Sequence, residues 1–335
     1  MNDNGQIPTS LAPDSIYSPD MVSTMAVQEV EYYHNEPGIK TGYANLDKVM
    51  NPMRPGQLIP VLGFTNHFKS GLMDGLSQNA AAQISLQDTE SIVIYVTWED
   101  SIETIGIKNL AAYSRLDTTA LVRGELSKDE WARLRRAAVE RAQKPIWLIG
   151  HTTQQYRRRQ RPTLPDVWQF LEYLVDIQGK KPALIVLDYL QRIRPHDRGD
   201  RRGQMLETVD MATDMAIAFH APLLLGTQAG RQVMDKARTW KLPQLHDAQE
   251  TSNIEQSASA FLSVWMPGKS MPLGTALQLG EMTVKVTKDL LILGLLKQKD
   301  GPAPATFPNR IDFLTNKIYP IDQVKSEREL LEFSK

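Results

Sequence analysis

The sequence contains no cysteine. That absence excludes disulfides, thiolate nucleophiles and cysteine-ligated zinc, and it removes any sign of an oxidising compartment. Long apolar runs are missing as well: none approaches the roughly 20 residues needed to cross a bilayer. The N-terminus, rich in Asn, Asp, Pro and Ser, lacks the basic-then-apolar order of a secretion signal. Neither secretion nor membrane insertion is expected, and the cytoplasm is the expected compartment. Net charge is almost absent, at −1 over 335 residues, so whole-chain electrostatics announce no polyanionic partner. Local charge is uneven, however. Arginine is dense at Arg157-Arg158-Arg159-Gln160-Arg161 and again between Arg192 and Arg202, and each run taken alone reads as a solvated face. His151 and the other histidines show no metal-ligand spacing.

What is present is ordinary globular material, 41% hydrophobic and 23% charged, in a length that suits one large α/β domain with appendages or two domains. Pro8, Pro13 and Pro19 break any periodicity in a polar stretch, so residues 1–19 read as a flexible tail. Met21, Val22, Met25, Ala26 and Val30 recur at helical spacing over residues 20–35. This isolated amphipathic helix must bury its stripe on its own domain or on a neighbouring subunit. From Gly38 the pattern alternates between strand and helix. Strands are expected at Leu58 to Phe64, Ile92 to Thr97, Ile146 to Ile149, Ala183 to Asp188 and Pro222 to Gly226. Helices are expected from Lys69 to Gln87, Asp100 to Leu116, a capping box at Ser127 to Gln143, a Thr163 cap to a stop at Gly179, and Gln204 to Phe219. The C-terminal third is strand-rich, with candidates at 260–265, 282–286, 290–296 and 311–314. Together these features predict an α/β fold: a mostly parallel sheet flanked by helices, with a C-terminal β-hairpin extension. No internal repeat is visible.

The first strand leads into Gly63-Phe64-Thr65-Asn66-His67-Phe68-Lys69-Ser70-Gly71. Against G-x-x-x-x-G-K-[ST], the phosphate-binding loop, one position departs: Phe68 stands where the second glycine belongs. In such a loop backbone N–H groups wrap the phosphates, the lysine neutralises oxyanions and the hydroxyl residue holds Mg²⁺. Gly63, Lys69 and Ser70 keep that chemistry. The signal is reinforced by polar residues at or just past the ends of the other parallel strands, namely Glu99, Asp188 and Gln228. Ligands of open α/β sheets bind outside those strand ends. There Asp188 would support the metal with Ser70, Glu99 would activate an attacking water, and Gln228 would sense the nucleotide. Acidic residues at strand ends are also ordinary helix caps, Asp100 among them.

The segment from Gly38 to Asp47, followed by Met53-Arg54-Pro55-Gly56-Gln57-Leu58, resembles the opening of the C-terminal motor domain of DnaB-type replicative helicases, RecA-like ATPases. Thr97-Trp98-Glu99-Asp100 is similar to that family's Ser-Leu-Glu-Met, whose Glu is the catalytic base. Leu187-Asp188-Tyr189-Leu190-Gln191 is similar to its Walker B segment, Ile-Asp-Tyr-Leu-Gln. Thr227-Gln228-Ala229-Gly230-Arg231 resembles Ser-Gln-Leu-Asn-Arg, and the run from Glu250 to Gln256 resembles Glu-Ser-Gly-Ser-Ile-Glu-Gln. Lys297-Gln298-Lys299-Asp300-Gly301-Pro302 resembles the hairpin that reaches a neighbour's ATP site. Motif order and spacing are kept over roughly residues 36–320.

The resemblance implies a RecA-like motor over residues 36–325, a linker helix at 20–35 packing on the adjacent protomer, and a C-terminal tail at 326–335. It implies ATP and Mg²⁺ between protomers of a ring, a hexamer in the family, with Lys69, Glu99 and Gln228 in catalysis. Gly63, Thr65, Asn66, His67, Phe68, Ser70, Gly71, Asp188 and Arg231 would bind nucleotide, and Lys297 and Lys299 would act in trans. Single-stranded DNA would run through the channel past Arg194, Arg198, Arg201, Arg202, Gln249, Glu250 and Ser252, through salt-dependent phosphate contacts with little sequence preference. Helicase activity would run 5′ to 3′, and a loader or a primase would be the protein partner. Only about 35 residues precede the motor, so the family's separate N-terminal helical domain is expected to be missing.

Three departures touch phosphate or DNA. Phe68 replaces the loop glycine, Lys299 replaces the finger arginine and loses its bidentate fork, and Gln249 stands where the family has Arg. All three point toward a weakened motor. The alternative expectation is therefore an oligomeric DNA-binding scaffold or recruitment factor that turns nucleotide over slowly or not at all; intact Glu99 and Asp188 argue against complete loss.

Overall fold

A computed structural model of the chain describes residues 16–84, 88–153, 161–193, 201–230, 240–248, 252–280 and 282–321, with the side chains at 201, 202, 252 and 253 left aside. The chain comprises two units, residues 1–38 and 39–335. The first holds helix α1 (Pro19–Asn35), which has no buried residue: Met21, Val22, Met25 and Val30 of the expected stripe are all exposed. Among the described residues no helix is long and apolar enough to cross a membrane.

The second unit is built on one nine-stranded sheet in the order β11-β10-β9-β6-β1-β5-β4-β2-β3. In chain order its elements are β1 (Leu58–Gly63), α2 (Lys69–Gln83), β2 (Ser91–Thr97), α3 (Ile102–Ser114), α4 (Thr118–Arg123), α5 (Lys128–Ala142), β3 (Ile146–Ile149) and α6 (Leu164–Glu172). There follow β4 (Lys181–Asp188), α7 (Arg201–Ala218), β5 (Leu223–Gln228), α8 (Ser252–Ser257), β6 (Ala260–Trp265), β7 (Ala276–Leu279), β8 (Met282–Lys285), β9 (Leu290–Gln298), β10 (Ala305–Asp312) and β11 (Lys317–Pro320). Strands β6, β1, β5, β4, β2 and β3 pair in parallel, and β9, β10 and β11 extend the edge antiparallel. Strands β7 and β8 form a separate two-stranded hairpin between β6 and β9.

The central strands read as continuous apolar runs because both faces are covered. Side chains alternate along each strand, so one set (Leu58, Leu62, Ile94, Val96, Ile185, Leu187, Leu223) joins the layer under α6 and α7. The other set (Ile59, Val61, Val93, Tyr95, Val186, Leu224) joins the layer with Leu72, Met73 and Leu76 of α2. Each fully buried Leu, Ile or Val contributes roughly 1.5–3 kcal/mol, which makes both layers intolerant of polar substitution.

Caps agree with the sequence at two helices and differ at a third. Ser127 and Glu130 form the expected capping box of α5, and Thr163 caps α6 with Asp166. Helix α3 starts two residues later than expected because Ser101, not Asp100, accepts from Thr104 N at 3.2 Å. It also stops early, at an Arg115 with φ 52°. The expected helix after Thr163 loosens into a π turn at Tyr173–Ile177 before Gly179. The sequence pattern does not announce short α4, β7 and β11, and the strand expected at 311–314 lies instead at Ala305–Asp312. Residues 313–316 form the turn after it, with Asn316 at φ 53°.

Candidate functional site

The pairing register sets the site. Gly63 of β1 is opposite Gln228 of β5, and Thr97 of β2 is opposite Asp188 of β4. The parallel strands therefore end at a common edge, and the segments leaving them surround a cavity of about 330 Å³. Its walls include Thr65, Asn66, Phe68, Lys69, Ser70 and Gly71 from the loop after β1, Glu99 and Asp100 after β2, Tyr189 after β4, and Gln228.

The loop after β1 is held open for that geometry. Gly63 is packed so closely that a Cβ would meet Val264 Cγ1 at 2.8 Å. Phe68 caps α2 with φ 68° and ψ 20°, so the position does take the left-handed conformation that favours glycine. Such a conformation costs a bulky residue about 1–3 kcal/mol. Part of that is offset by the phenyl ring, which packs on the apolar layer beneath α2, and by Phe68 O, which accepts the first helical bond from Leu72 N at 2.8 Å. Asn66 is left-handed as well, at φ 63°. His67 turns inward and is 4% exposed, its Nδ1 accepting from Met266 N at 3.2 Å. Burial, with Lys269 nearby, pushes its pKa down to about 4, so the imidazole is neutral and able to accept.

Lys69 is 7% exposed. Its Nζ lies 3.8 Å from the centroid of the Tyr189 ring, over the π face. Burial lowers its pKa to about 8, while the charges of Asp188 and Glu99 pull it back up; the ammonium survives at neutral pH as a desolvated cation aimed at the cavity. Asp188 is buried, with Oδ2 accepting from Tyr95 Oη at 2.7 Å and Oδ1 without a partner among the described residues. A carboxylate oxygen left unpaired in the interior calls for a cation or a cation-bound water. Among the described residues no group of three or more His, Asp or Glu forms a metal cage. A divalent ion here would draw its remaining ligands from substrate oxygens and water, as Mg²⁺ commonly does. Ser70 stands in the first turn of α2 on the cavity wall.

Glu99 is exposed on the cavity wall, one residue past fully buried Trp98, whose backbone N donates to Asp188 O at 3.0 Å. That bond ties the Glu99 turn to the end of β4. Gln228 Nε2 donates to Thr65 Oγ1 at 2.7 Å, linking β5 to the loop. Gln191 in turn accepts from Gln228 N at 3.1 Å and donates to Thr227 Oγ1 at 3.1 Å.

Other expected residues fall elsewhere. Lys297 and Lys299 are outside the cavity of their own chain: Lys297 Nζ donates to Glu255 O at 2.5 Å, and Lys299 N donates to Ser259 O at 2.9 Å. Their hairpin is pinned by Gln298, which accepts from Asn51 N at 3.1 Å and donates to Val49 O at 3.0 Å. Arg194, Arg198, Arg231, Gln249 and Glu250 lie outside the described residues. Arg201 opens α7 and Ser252 opens α8, with Arg202 next along α7; their side chains are not described. Four residues at the site escape sequence reasoning: Tyr189, Tyr95, Lys108 and Lys269. Tyr189 is adjacent to Asp188 within its motif, and Lys269 follows β6, a neighbour of β1, so strand order is the missing signal.

The profile of the DnaB-like helicase C-terminal domain matches residues 38–289. The chain belongs to this family. The replicative DNA helicase DnaB of Pasteurella multocida (strain Pm70) is 26% identical over 247 residues, 71% of this chain and 48% of the relative. That of Nostoc sp. (strain PCC 7120 / SAG 25.82 / UTEX 2576) is 29% identical over 219 residues, 64% of this chain and 23% of the relative. The chain thus spans about half or less of the length of these curated relatives. In fold it is similar to a separately solved ATPase domain, with a TM-score of 0.72, 17% identity, and coverage of 92% of this chain and 100% of that one. A DnaB-like replicative helicase, solved in a study of its interactions with primase, gives a TM-score of 0.71 at 16% identity, covering 91% of this chain and 69% of that one. The parallel strand order explains why the loop after β1, Glu99 and Gln228 meet at one edge, with Asp188 ending β4 beside them.

Proposed function

We propose that this DnaB-like domain hydrolyses ATP with Mg²⁺ and couples the hydrolysis to movement along single-stranded DNA, as one protomer of a ring. The observation that carries this reading is the convergence of buried Lys69, exposed Glu99, and Gln228 on one strand-end cavity, with Asp188 buried beside it next to Tyr189 of the cavity wall and acting by its charge on Lys69. Lys69 would neutralise phosphate oxyanions, and Phe68 to Gly71 would present backbone N–H groups to them. Asp188 and Ser70 would hold Mg²⁺, which when bound offsets charge on the phosphates. Glu99 would accept a proton from the attacking water, being the exposed carboxylate on the wall. Gln228, bonded to Thr65 and held by Gln191, would carry nucleotide state from the loop toward the segment after β4. Met21, Val22, Met25 and Val30 of α1 supply an apolar stripe for a neighbouring protomer.

The test is steady-state ATP hydrolysis with and without single-stranded DNA. Lys69→Ala and Glu99→Gln should each abolish the stimulated rate, and equal rates for wild type and Lys69→Ala would overturn the enzyme reading. Phe68 at φ 68° favours one second reading, a DNA-binding scaffold of the same fold with little turnover. Equilibrium titration separates the two, because a scaffold shows no Mg²⁺-dependent ATP binding in the wild type.

A further inference from the structure

A short turn at Pro267–Lys269, between β6 and the β7–β8 hairpin, is docked on the phosphate loop. Met266 N donates to His67 Nδ1 at 3.2 Å, and Lys269 Nζ donates to Asn66 O at 2.5 Å. The turn has little freedom to leave. Ser270 N and Met271 N both donate to Pro267 O, at 2.9 and 2.8 Å, and Trp265 Nε1 donates to Ser270 Oγ at 2.9 Å. On its far side Gly268 lies against the backbone, where a Cβ would stand 2.5 Å from Thr287 O.

The charges around the cavity are unequal in what already satisfies them. Lys108 is neutralised by Asp100 at 2.5 Å. Lys69 has the charges of Asp188 and Glu99 acting on it. Lys269 also lines the cavity, is exposed, and among the described residues has no carboxylate within ion-pair distance; the oxygen it donates to is a neutral carbonyl. An ammonium anchored on a rigid turn, at the rim of a phosphate loop and lacking a counter-ion, is a ready partner for an oxyanion.

We infer that Lys269 is a second phosphate-binding cation of this site, contributed by the same chain, which contacts the nucleotide's phosphate oxygens. The inference rests on the reading of the cavity as an ATP site. It gives the domain a positive charge in cis that does not depend on the neighbour's Lys297 or Lys299, positioned by its bond to Asn66 O.

The experiment is equilibrium titration of the full chain with Mg·ATP and Mg·ADP, for wild type, Lys269→Ala, Lys269→Gln and Lys269→Arg, with thermal melting recorded for each. Lys269→Ala should weaken Mg·ATP about tenfold, in line with the loss of one charge-assisted hydrogen bond, and Lys269→Arg should retain most of the affinity. Glutamine can still donate to Asn66 O but carries no charge. If Lys269→Gln binds like wild type, the side chain only latches the loop and the inference fails. It fails equally if Lys269→Ala binds like wild type, which leaves the ATP site standing. Wild type that binds no Mg·ATP overturns both the inference and the functional reading beneath it.

Discussion

The phenyl ring of Phe68 lies directly over Gly71: a Cβ on Gly71 would come within 2.6 Å of Phe68 Cζ. The aromatic residue at the loop position where glycine is expected is thus accommodated by a glycine one turn into the helix. Replacing a helical glycine with alanine usually stabilises by roughly 0.5–1 kcal/mol. Here Gly71→Ala should instead destabilise by about 1–3 kcal/mol through overpacking, and it should become neutral or stabilising once Phe68→Gly removes the ring. A double-mutant cycle by denaturant unfolding should give a coupling of at least about 1 kcal/mol; additive effects would show that the ring moves away freely.

Among the described residues Tyr95 gives the buried Asp188 carboxylate its one side-chain donor, and its own ionisation is pushed well up by burial and by the Asp188 charge. Tyr95→Phe keeps the ring and removes the donor, leaving both carboxylate oxygens in the interior without that bond. Such a loss costs about 1–3 kcal/mol. The variant should melt several degrees below wild type without ligand, and the gap should narrow with saturating Mg·ATP, which offers Asp188 a new partner. Equal melting temperatures without ligand would show that the hydroxyl does not stabilise the fold through Asp188.

Much of this is legible in the sequence, and the reason is burial on both faces. Central parallel strands such as Ala183 to Leu187 need apolar residues at every position, so they stand out, and the polar residue that ends each one marks the common edge. Gly63, Lys69 and Ser70 identify the loop even with Phe68 inside it. What stays hidden depends on pairing across the sheet. Lys269 follows the loop by about 200 residues and approaches it only because β6 pairs with β1. Tyr95 looks like one more apolar strand residue until the β2–β4 register places Thr97 opposite Asp188. The short strands β7 and β11 become visible only through their antiparallel pairing with β8 and β10. Whether Phe68 is left-handed is a question about the backbone, which composition does not record.

Gln191 holds the end of β5 with both ends of its amide, through Gln228 N and Thr227 Oγ1. On the proposed reading it is the link between the segment after β4 and the Gln228–Thr65 contact at the phosphate loop. Gln191→Ala should leave Mg·ATP affinity near wild type and lower the stimulation of hydrolysis by single-stranded DNA by roughly 2- to 30-fold, the range expected for loss of one coupling contact. Stimulation measured at saturating ATP checks this. Unchanged stimulation would remove Gln191 from the route.

His67 makes the loop sensitive to acid. Its pKa in the folded chain, pushed down to about 4 by burial and then by Lys269, lies below the ordinary 6.5. Between those two values the unfolded chain binds a proton that the folded chain refuses, so stability falls as pH drops from about 6.5 to about 4, by at most about 1.4 kcal/mol per pH unit. The cause is local, because a protonated imidazole cannot accept from Met266 N, and its new charge faces Lys269. His67→Asn keeps an acceptor and removes the titration. Denaturant unfolding at pH 7, 6, 5 and 4.5 should show wild type losing stability faster than His67→Asn, since the carboxylates that drive general acid unfolding are common to both. Parallel curves over that window would mean the imidazole already accommodates the proton, and the bond to Met266 would then not hold the loop.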